Sequence, residues 1–340
     1  MRRCTLKDLS KETGYAVSTI SNVLNDRDSC FASKATRERI KEAAARMGYR
    51  ADHVARSLRS GQTRIIGVAC RLFASEVQSE QLNALQKALR DEGYIASFMD
   101  MKEDVAQTLE EMRIIRADAM ILFSSWNETK AAQKITAEVP TLGIGPERMI
   151  GIPTIIVDRT EGIRIAVRHL ADLGHERIAF VTRKPKGNLS KLRGYLEGMR
   201  EVGLDDHIKV IPVPEIIGAM QPFVRGHKDE FRSVTAIITN GDQVAAELLP
   251  GLTDLGIRVP QDCSLVGFND VRIARGVSPQ LTTLRQPREE LAKAAVQTML
   301  ALIQGKKNVR NRRLIPDLIV RDSTCSPAAK TARKGAAANA

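Results

Sequence analysis

Thr5 to Asn25, reading T-L-K-D-L-S-K-E-T-G-Y-A-V-S-T-I-S-N-V-L-N, is the stretch whose reading decides the N-terminal architecture of this chain. Leu6 and Leu9, then Ile20, Val23 and Leu24, recur at the three-to-four-residue spacing that gathers side chains onto one helical face. Between the two patterns stands Gly14, where a left-handed backbone costs little, so the segment reads as two short helices meeting at a sharp turn. The outward face of the second helix then carries Val17, Ser18 and Asn22, short side chains suited to base edges in a major groove. A helical hairpin that merely packs has the same period, so the surrounding sequence must decide between the two.

The distribution of charge favours a polyanion. Residues 1–64 hold 14 Lys and Arg against 7 Asp and Glu, and the tail from Ser326 adds three further positive charges, so most of the formal net charge of +12 sits at the two ends. A positive excess beside two helices joined by a tight turn is the electrostatic footprint of phosphate contact. Ser33 is a good N-cap for a third helix running through Ile40 and Met47, with Gly48 closing it. These features place a helix-turn-helix DNA-binding domain at residues 1–50, a linker at 51–62, and a larger domain at 63–325. A disordered basic tail is expected over 326–340.

From Arg64 onward, short apolar runs alternate with amphipathic helical patterns, the rhythm of an α/β fold with parallel strands and right-handed crossovers. Strands are expected at Ile65 to Ala69, Ile95 to Met99, Ala119 to Phe123, Thr141 to Ile144, Thr154 to Val157, Ile178 to Val181, Ala236 to Thr239 and Leu265 to Phe268. Helices are expected at Glu80 to Glu92, Asp104 to Arg116, Gly162 to Leu173, Leu192 to Val202, Val244 to Leu255 and Glu289 to Gln304. Two doubly wound lobes follow, with a cleft outside the carboxyl ends of their strands. No apolar run approaches the roughly 20 residues of a membrane span, and no signal-like segment follows Met1, so a cytoplasmic protein is expected. The cysteines Cys4, Cys30, Cys70, Cys263 and Cys325 are dispersed, odd in number and never spaced as CxxC, which points to reduced thiols and to neither a disulfide nor a zinc framework. His169 and His175 read as packing residues, Glu110-Glu111 and Asp205-Asp206 as solvated charges, and Gly143-Ile144-Gly145 lacks the residues of a phosphate loop, so neither a catalytic constellation nor a cofactor is expected.

An ordered set of motifs resembles the lactose-repressor/galactose-repressor family of bacterial transcription regulators over nearly the whole chain. It comprises T-L-K-D-L and T-I-S-N-V-L-N, T-R-E-R-I from Thr36, M-G-Y-R from Met47, A-R-S-L-R-S-G from Ala55, H-L-A-D-L-G-H-E-R-I-A-F from His169, L-V-G-F-N-D from Leu265, L-T-T-L-R-Q-P from Leu281 and L-I-V-R-D-S-T from Leu318. The resemblance implies a periplasmic-binding-protein-like pair of lobes, the first over about 63–158 plus 288–320 and the second over about 159–287. The chain would cross between them near Asp158, Leu284 and Asp317. It implies a homodimer on a near-palindromic DNA operator, controlled by a small-molecule effector, with no enzymatic activity and no membrane partner. Thr5, Thr19, Ser21 and Asn25 fall at phosphate or adjacent positions. Residues 52–60 match the family's hinge, with Ala55 and Arg56 facing the minor groove and Leu58 as the wedge that kinks the operator.

The same resemblance names effector contacts. Arg193, Asp242, Asn269 and Gln286 match polar ligand positions of the second lobe, although Asp242 fits a helix cap equally well. Phe73 and Trp126 are the aromatic candidates of the first lobe. Several positions depart from the family. Leu72 to Gln78 replaces its usual D-x-x-N-P-F-F segment, and Gly145 replaces an aspartate after the Pro140 strand, so a neutral hexose gripped by both lobes is not expected. Ala16 replaces a capping Ser, and Asn22 replaces an Arg common in relatives, which shifts the expected base preference from guanine to adenine. Two other classes compete: a solute-binding component of transport, which would carry a signal peptide and no basic helix-turn-helix, and a sugar-processing enzyme, which would show convergent acid/base residues.

Overall fold

Caps organise the N-terminal helices before any tertiary contact is made. In the computed structural model, which describes residues 4–24, 32–49, 57, 61–70, 75–101, 105–123, 130–183, 189–216, 218–306 and 308–327, helix α1 (Leu6–Thr13) opens on Thr5. The Thr5 hydroxyl accepts from the Asp8 backbone N–H at 3.3 Å while Asp8 Oδ2 accepts from the Thr5 N–H at 2.9 Å, a reciprocal box that satisfies two otherwise orphaned donors. Gly14 closes the helix at φ 76°, as its sequence position required. Helices α2 (Val17–Leu24) and α3 (Lys34–Arg46, capped by Ser33) complete a three-helix unit around Leu9, Ile20, Val23, Ile40, Ala43 and Ala44.

The chain divides into two compact units, residues 1–63 and 64–340. In the second, two six-stranded sheets are built on the same plan. Strands β1 (Ile65–Cys70), β2 (Ile95–Asp100), β3 (Ala119–Phe123), β4 (Thr141–Gly145), β5 (Thr154–Val157) and β11 (Arg312–Leu314) form the first sheet in the order β11-β5-β4-β3-β1-β2, all parallel. Strands β6 (Ile178–Thr182), β7 (Lys209–Pro212), β8 (Ala236–Thr239), β9 (Ser264–Asn269), β10 (Thr282–Arg285) and β12 (Asp317–Ile319) form the second in the order β12-β10-β9-β8-β6-β7. Only β12 runs antiparallel to its neighbour in that sheet. The strand β3, A-M-I-L-F, is buried at every position, because helices cover both faces of a parallel sheet.

The first lobe carries α4 (Glu76–Asp91), α5 (Val105–Ile114), α6 (Lys130–Glu138) and α13 (Arg288–Ile303). The second carries α7 (Arg159–Asp172), α8 (Leu189–Glu201), α9 (Met220–Gly226), α10 (Lys228–Arg232), α11 (Asp242–Asp254) and α12 (Ile273–Gly276). The chain crosses between lobes after β5, after β10 and after β11. The third crossing corrects one expected boundary: residues 317–319 pair with β10, and Ser323 and Cys325 bond to Leu265 and Ser264, so the stretch 317–320 does not belong to the first lobe. Among the described residues no helix is long and apolar enough to cross a membrane.

Candidate functional site

In α2, Ile20 and Val23 are fully buried, which turns the opposite arc of the helix outward. That arc holds Val17, 39 % exposed despite its apolar side chain, together with exposed Ser18 and half-buried Ser21 and Asn22, while half-buried Thr19 lies at its margin. The helix is held in place by others: Arg46 of α3 pairs with Glu12 of α1 at 2.9 Å, and the Arg39 guanidinium lies 6.0 Å from the Tyr15 ring centre. Ser10 Oγ donates to the Tyr15 carbonyl at 2.7 Å and so pins the turn. Thr5 is committed to its cap, its hydroxyl donating to Asp8 Oδ2 at 2.7 Å. Ala16 precedes the first residue of α2 and its carbonyl accepts from Ile20 N–H at 3.0 Å, but a methyl group offers no oxygen to the first-turn N–H groups. Asn25, Ala55, Arg56 and Leu58 lie outside the described residues, as do Phe73 and Trp126.

The four second-lobe candidates separate into three environments. Asn269 and Gln286 are joined: Gln286 Nε2 donates to Asn269 Oδ1 at 2.6 Å and accepts at Oε1 from Gln81 of α4 at 2.9 Å. This amide relay links the lobes. Asn269 holds φ 111° and Asp270 φ 54°, conformations that non-glycine residues avoid at a cost of about 1–3 kcal/mol each. Arg288 holds this turn by donating to both carbonyls, at 2.7 and 3.0 Å, and the wholly buried Asp270 carboxylate pairs with Arg285 at 2.6 Å and Arg321 at 2.5 Å.

Asp242 is 1 % exposed and neither caps its own helix nor faces open space. The Thr283 hydroxyl donates to Oδ1 at 2.5 Å and the Val271 N–H to Oδ2 at 2.9 Å. Gly267 makes room, since a Cβ there would stand 2.1 Å from Oδ1. Burial pushes the carboxyl up to about 6, against the lowering effect of these hydrogen bonds. Of the two roles that the sequence left open for Asp242, the helix cap is not formed; the carboxyl instead makes a latch between α11, the turn after β9 and strand β10.

Arg193 is exposed, with Nη2 3.3 Å from Glu147 of the first lobe and 3.2 Å from Thr160 Oγ1. A surface pair of this kind contributes about 0–1 kcal/mol. The buried cation of α8 is Lys191, two residues earlier and 5 % exposed, whose Nζ donates to the Asn240 carbonyl at 2.5 Å and lies 4.0 Å from the Phe268 ring centre. Burial and the charge of Arg159 push its ammonium well below the ordinary lysine range, with Asp242 opposing. Sequence reasoning missed both cations. Helical period was the available signal: Lys191 shares a face with Gly194, Tyr195, Gly198 and Met199, all buried, and Arg193 does not.

Helices α7 and α8 meet at this point because Gly194 has no side chain, a Cβ there falling 2.3 Å from the Thr160 carbonyl oxygen. Thr160 Oγ1 in turn donates to the Ser190 carbonyl at 3.0 Å, and across this helix contact the charge of Arg159 acts on Lys191. His175 is buried elsewhere in the lobe, bridging Thr235, Ser264 and the Cys325 carbonyl at 2.9–3.1 Å. Among the described residues no group of three His, Cys, Asp or Glu is placed to hold a metal.

Comparison with known proteins gives two matching family models: bacterial regulatory proteins of the lacI family over residues 5–52, and periplasmic binding protein-like domains over residues 167–324. The ribose operon repressor of Escherichia coli (strain K12) is 27 % identical over 331 residues, spanning 94 % of this chain and 99 % of that protein. The fold is shared with the lac repressor dimer bound to operator and the anti-inducer ONPF, at TM-score 0.79 and 24 % identity over 95 % of this chain and 100 % of that one. It is shared also with a regulator from Enterococcus faecium with bound ribose, at TM-score 0.67 and 22 % identity over 77 % and 99 % of the two chains.

Proposed function

Because the chain belongs to the LacI family of bacterial regulatory proteins, we propose that it is a sequence-specific DNA-binding repressor, acting in the cytoplasm as a homodimer on a near-palindromic operator under control of a small molecule held between its lobes. The observation that carries this reading is the outward arc of α2, where exposed Val17 and Ser18 and half-buried Asn22 lie on the side away from Ile20 and Val23 in a basic N-terminal unit. Two-fold protein symmetry would match two operator half-sites. Residues 51–62 would serve as the hinge, with Ala55, Arg56 and Leu58 at the minor groove. Thr19, Ser21 and Asn25 would contact phosphate or stand beside it.

In the second unit, Asn269 and Gln286 would meet the effector, because their amides end at the carboxyl edge of the second sheet and are tied to the first lobe through Gln81. A ligand that replaces or reinforces this relay would favour one lobe arrangement over another, the differential affinity that allosteric control requires. The reading assigns no catalytic step to the chain.

Selection of bound duplexes from a random pool tests the assignment. The full chain should enrich a near-palindrome, with affinity falling steeply as salt rises. Asn22→Arg should move the preference at one base of each half-site from adenine to guanine, a discrimination of about 1–3 kcal/mol. Equal binding of random and selected duplexes at every salt concentration would refute the repressor reading, and an unchanged base preference in Asn22→Arg would remove Asn22 from direct readout.

A further inference from the structure

Two basic side chains without an acidic partner stand where the second sheet ends, Lys191 at the start of α8 and Arg159 at the start of α7. Lys191 is almost wholly buried; among the described residues its ammonium makes one hydrogen bond, to the Asn240 carbonyl, and otherwise faces the Phe268 ring at 4.0 Å, with no anion paired to it. Beside it, the Nε of Arg159 is closed off from water and has no hydrogen-bond partner. No carboxylate among the described residues pairs with that guanidinium. The acids nearby in sequence are engaged elsewhere. Asp158 caps α7 through the Glu161 N–H at 2.9 Å and pairs with Arg313, while Glu161 pairs with Arg164 at 3.1 Å and Arg168 at 2.6 Å. The sequence from Arg183 to Leu189, joining β6 to α8, contains no Asp or Glu. Asp242 does reach Lys191 electrostatically, but its oxygens are taken by Thr283 and Val271.

A cation drawn out of water without an anion is expensive, and the buried Lys191 beside the half-buried Arg159, whose Nε is shut off from water, raises that cost further. Arginine has no escape through deprotonation, and a site that needed only packing would be better served by leucine or methionine. Both residues also stand in the first turns of helices of 14 and 13 residues, where the backbone favours negative charge. A planar fork and a point charge carried in the first turns of two adjoining helices suit a dianion, which a phosphomonoester approaches at neutral pH. The amides of Asn269 and Gln286 would serve the uncharged hydroxyls of the same molecule.

We propose that the effector is a small phosphate ester whose phosphoryl group is received by Arg159 and Lys191, an assignment that rests on reading the inter-lobe cleft as the effector site. The pair then acquires the anionic partner that no carboxylate among the described residues supplies. The charge that binds the ligand also weakens the unliganded fold.

Thermal unfolding of the full chain at constant ionic strength tests this with three probes: sodium chloride, inorganic phosphate and malonate. Phosphate should raise the melting temperature saturably by mass action, and malonate, a dicarboxylate of similar charge, should do so less. Lys191→Met keeps the stem and removes the charge; it should raise the melting temperature of ligand-free protein and weaken phosphate by at least about tenfold. Arg159→Met reads out the same way should Lys191→Met fail to fold. No saturable phosphate response in the wild type, an equal response in wild type and variants, or a response to malonate alone would overturn the proposal. Operator binding measured on the same preparations by anisotropy separates the two readings. Salt-sensitive operator binding without a phosphate response overturns the phosphate ester and leaves the repressor standing, whereas a phosphate response without operator binding overturns the repressor and leaves the anion site.

Discussion

Gly194→Ala sets two physical effects of opposite sign against each other. In the interior of a 13-residue helix, alanine is favoured over glycine by about 0.8–1 kcal/mol, so propensity alone predicts a more stable protein. Packing predicts the reverse. The added Cβ would stand 2.3 Å from the Thr160 carbonyl oxygen and 3.0 Å from its Cα and carbonyl carbon, against a floor of 3.0 Å that real Cβ atoms essentially never cross. All three atoms are backbone, so no rotamer relieves the clash, and α7 must back away from α8 by about 0.7 Å in a close-packed interior. Overpacking of this kind costs about 1–3 kcal/mol, and the absence of a flexible neighbour places it toward the upper end. The net expectation is a loss of about 1–2 kcal/mol. The same retreat stretches the 3.0 Å bond from Thr160 Oγ1 to the Ser190 carbonyl and displaces Lys191 from Arg159, so phosphate binding should weaken together with stability. Urea unfolding of the second unit measures the first effect through a lower midpoint at unchanged slope. Gly226→Ala, at the end of α9 with nothing within 4 Å of its added Cβ, is the control and should be stabilising by about 0.4–1 kcal/mol. A Gly194→Ala midpoint at or above that of the wild type would refute the claim that this helix crossing depends on a missing side chain.

The remaining expectations concern the latch and the caps. The Asp242 carboxyl is pushed up to about 6 from 3.8 by burial, so its ionised form is disfavoured on folding. The penalty is absent below the unfolded value of 3.8, grows through the window up to about 6, and is complete above it, on the order of 3 kcal/mol. Asparagine retains an oxygen for the Val271 N–H and an amide donor for Thr283 Oγ1, so Asp242→Asn should stabilise the protein at about pH 8 and show a much smaller gain at about pH 4. Denaturant midpoints at the two pH values check it, and a gap that fails to widen with pH would contradict the burial argument. At the N-terminal end, Thr5→Ala removes the hydroxyl half of the cap on α1, leaving the backbone N–H to Asp8 bond in place, and should cost that unit about 1 kcal/mol, whereas Ala16→Ser supplies α2 with a cap and should add about as much. Thermal unfolding of both variants decides, and no loss in Thr5→Ala would show the cap to be without consequence.

Legibility in the sequence tracked whether a residue's environment is set by its neighbours in the chain. The helix-turn-helix was readable because Gly14, Ile20 and Val23 declare a turn and a face within ten residues, and β3 because a strand covered on both sides is apolar throughout. Strands β7, β11 and β12 were not. They are short edge strands, and K-V-I-P, R-R-L and D-L-I carry the charge and proline that edges tolerate. Strand β10 was hidden differently, since its buried Thr282 and Thr283 are satisfied by Ser323 and Asp242, some 40 residues away. On α8 the resemblance selected Arg193, which is exposed, whereas helical period marks Lys191 as the buried cation. Period alone would still not have exposed the cations that lack an acidic partner. Arg159 follows Asp158 and lies two residues before Glu161, so any reading of local charge supplies it with partners, and only the fold spends those acids on Arg313, Arg164 and Arg168. A ligand site made of missing partners is invisible to motif and composition alike, because both record which residues are present and neither records which of them are already engaged.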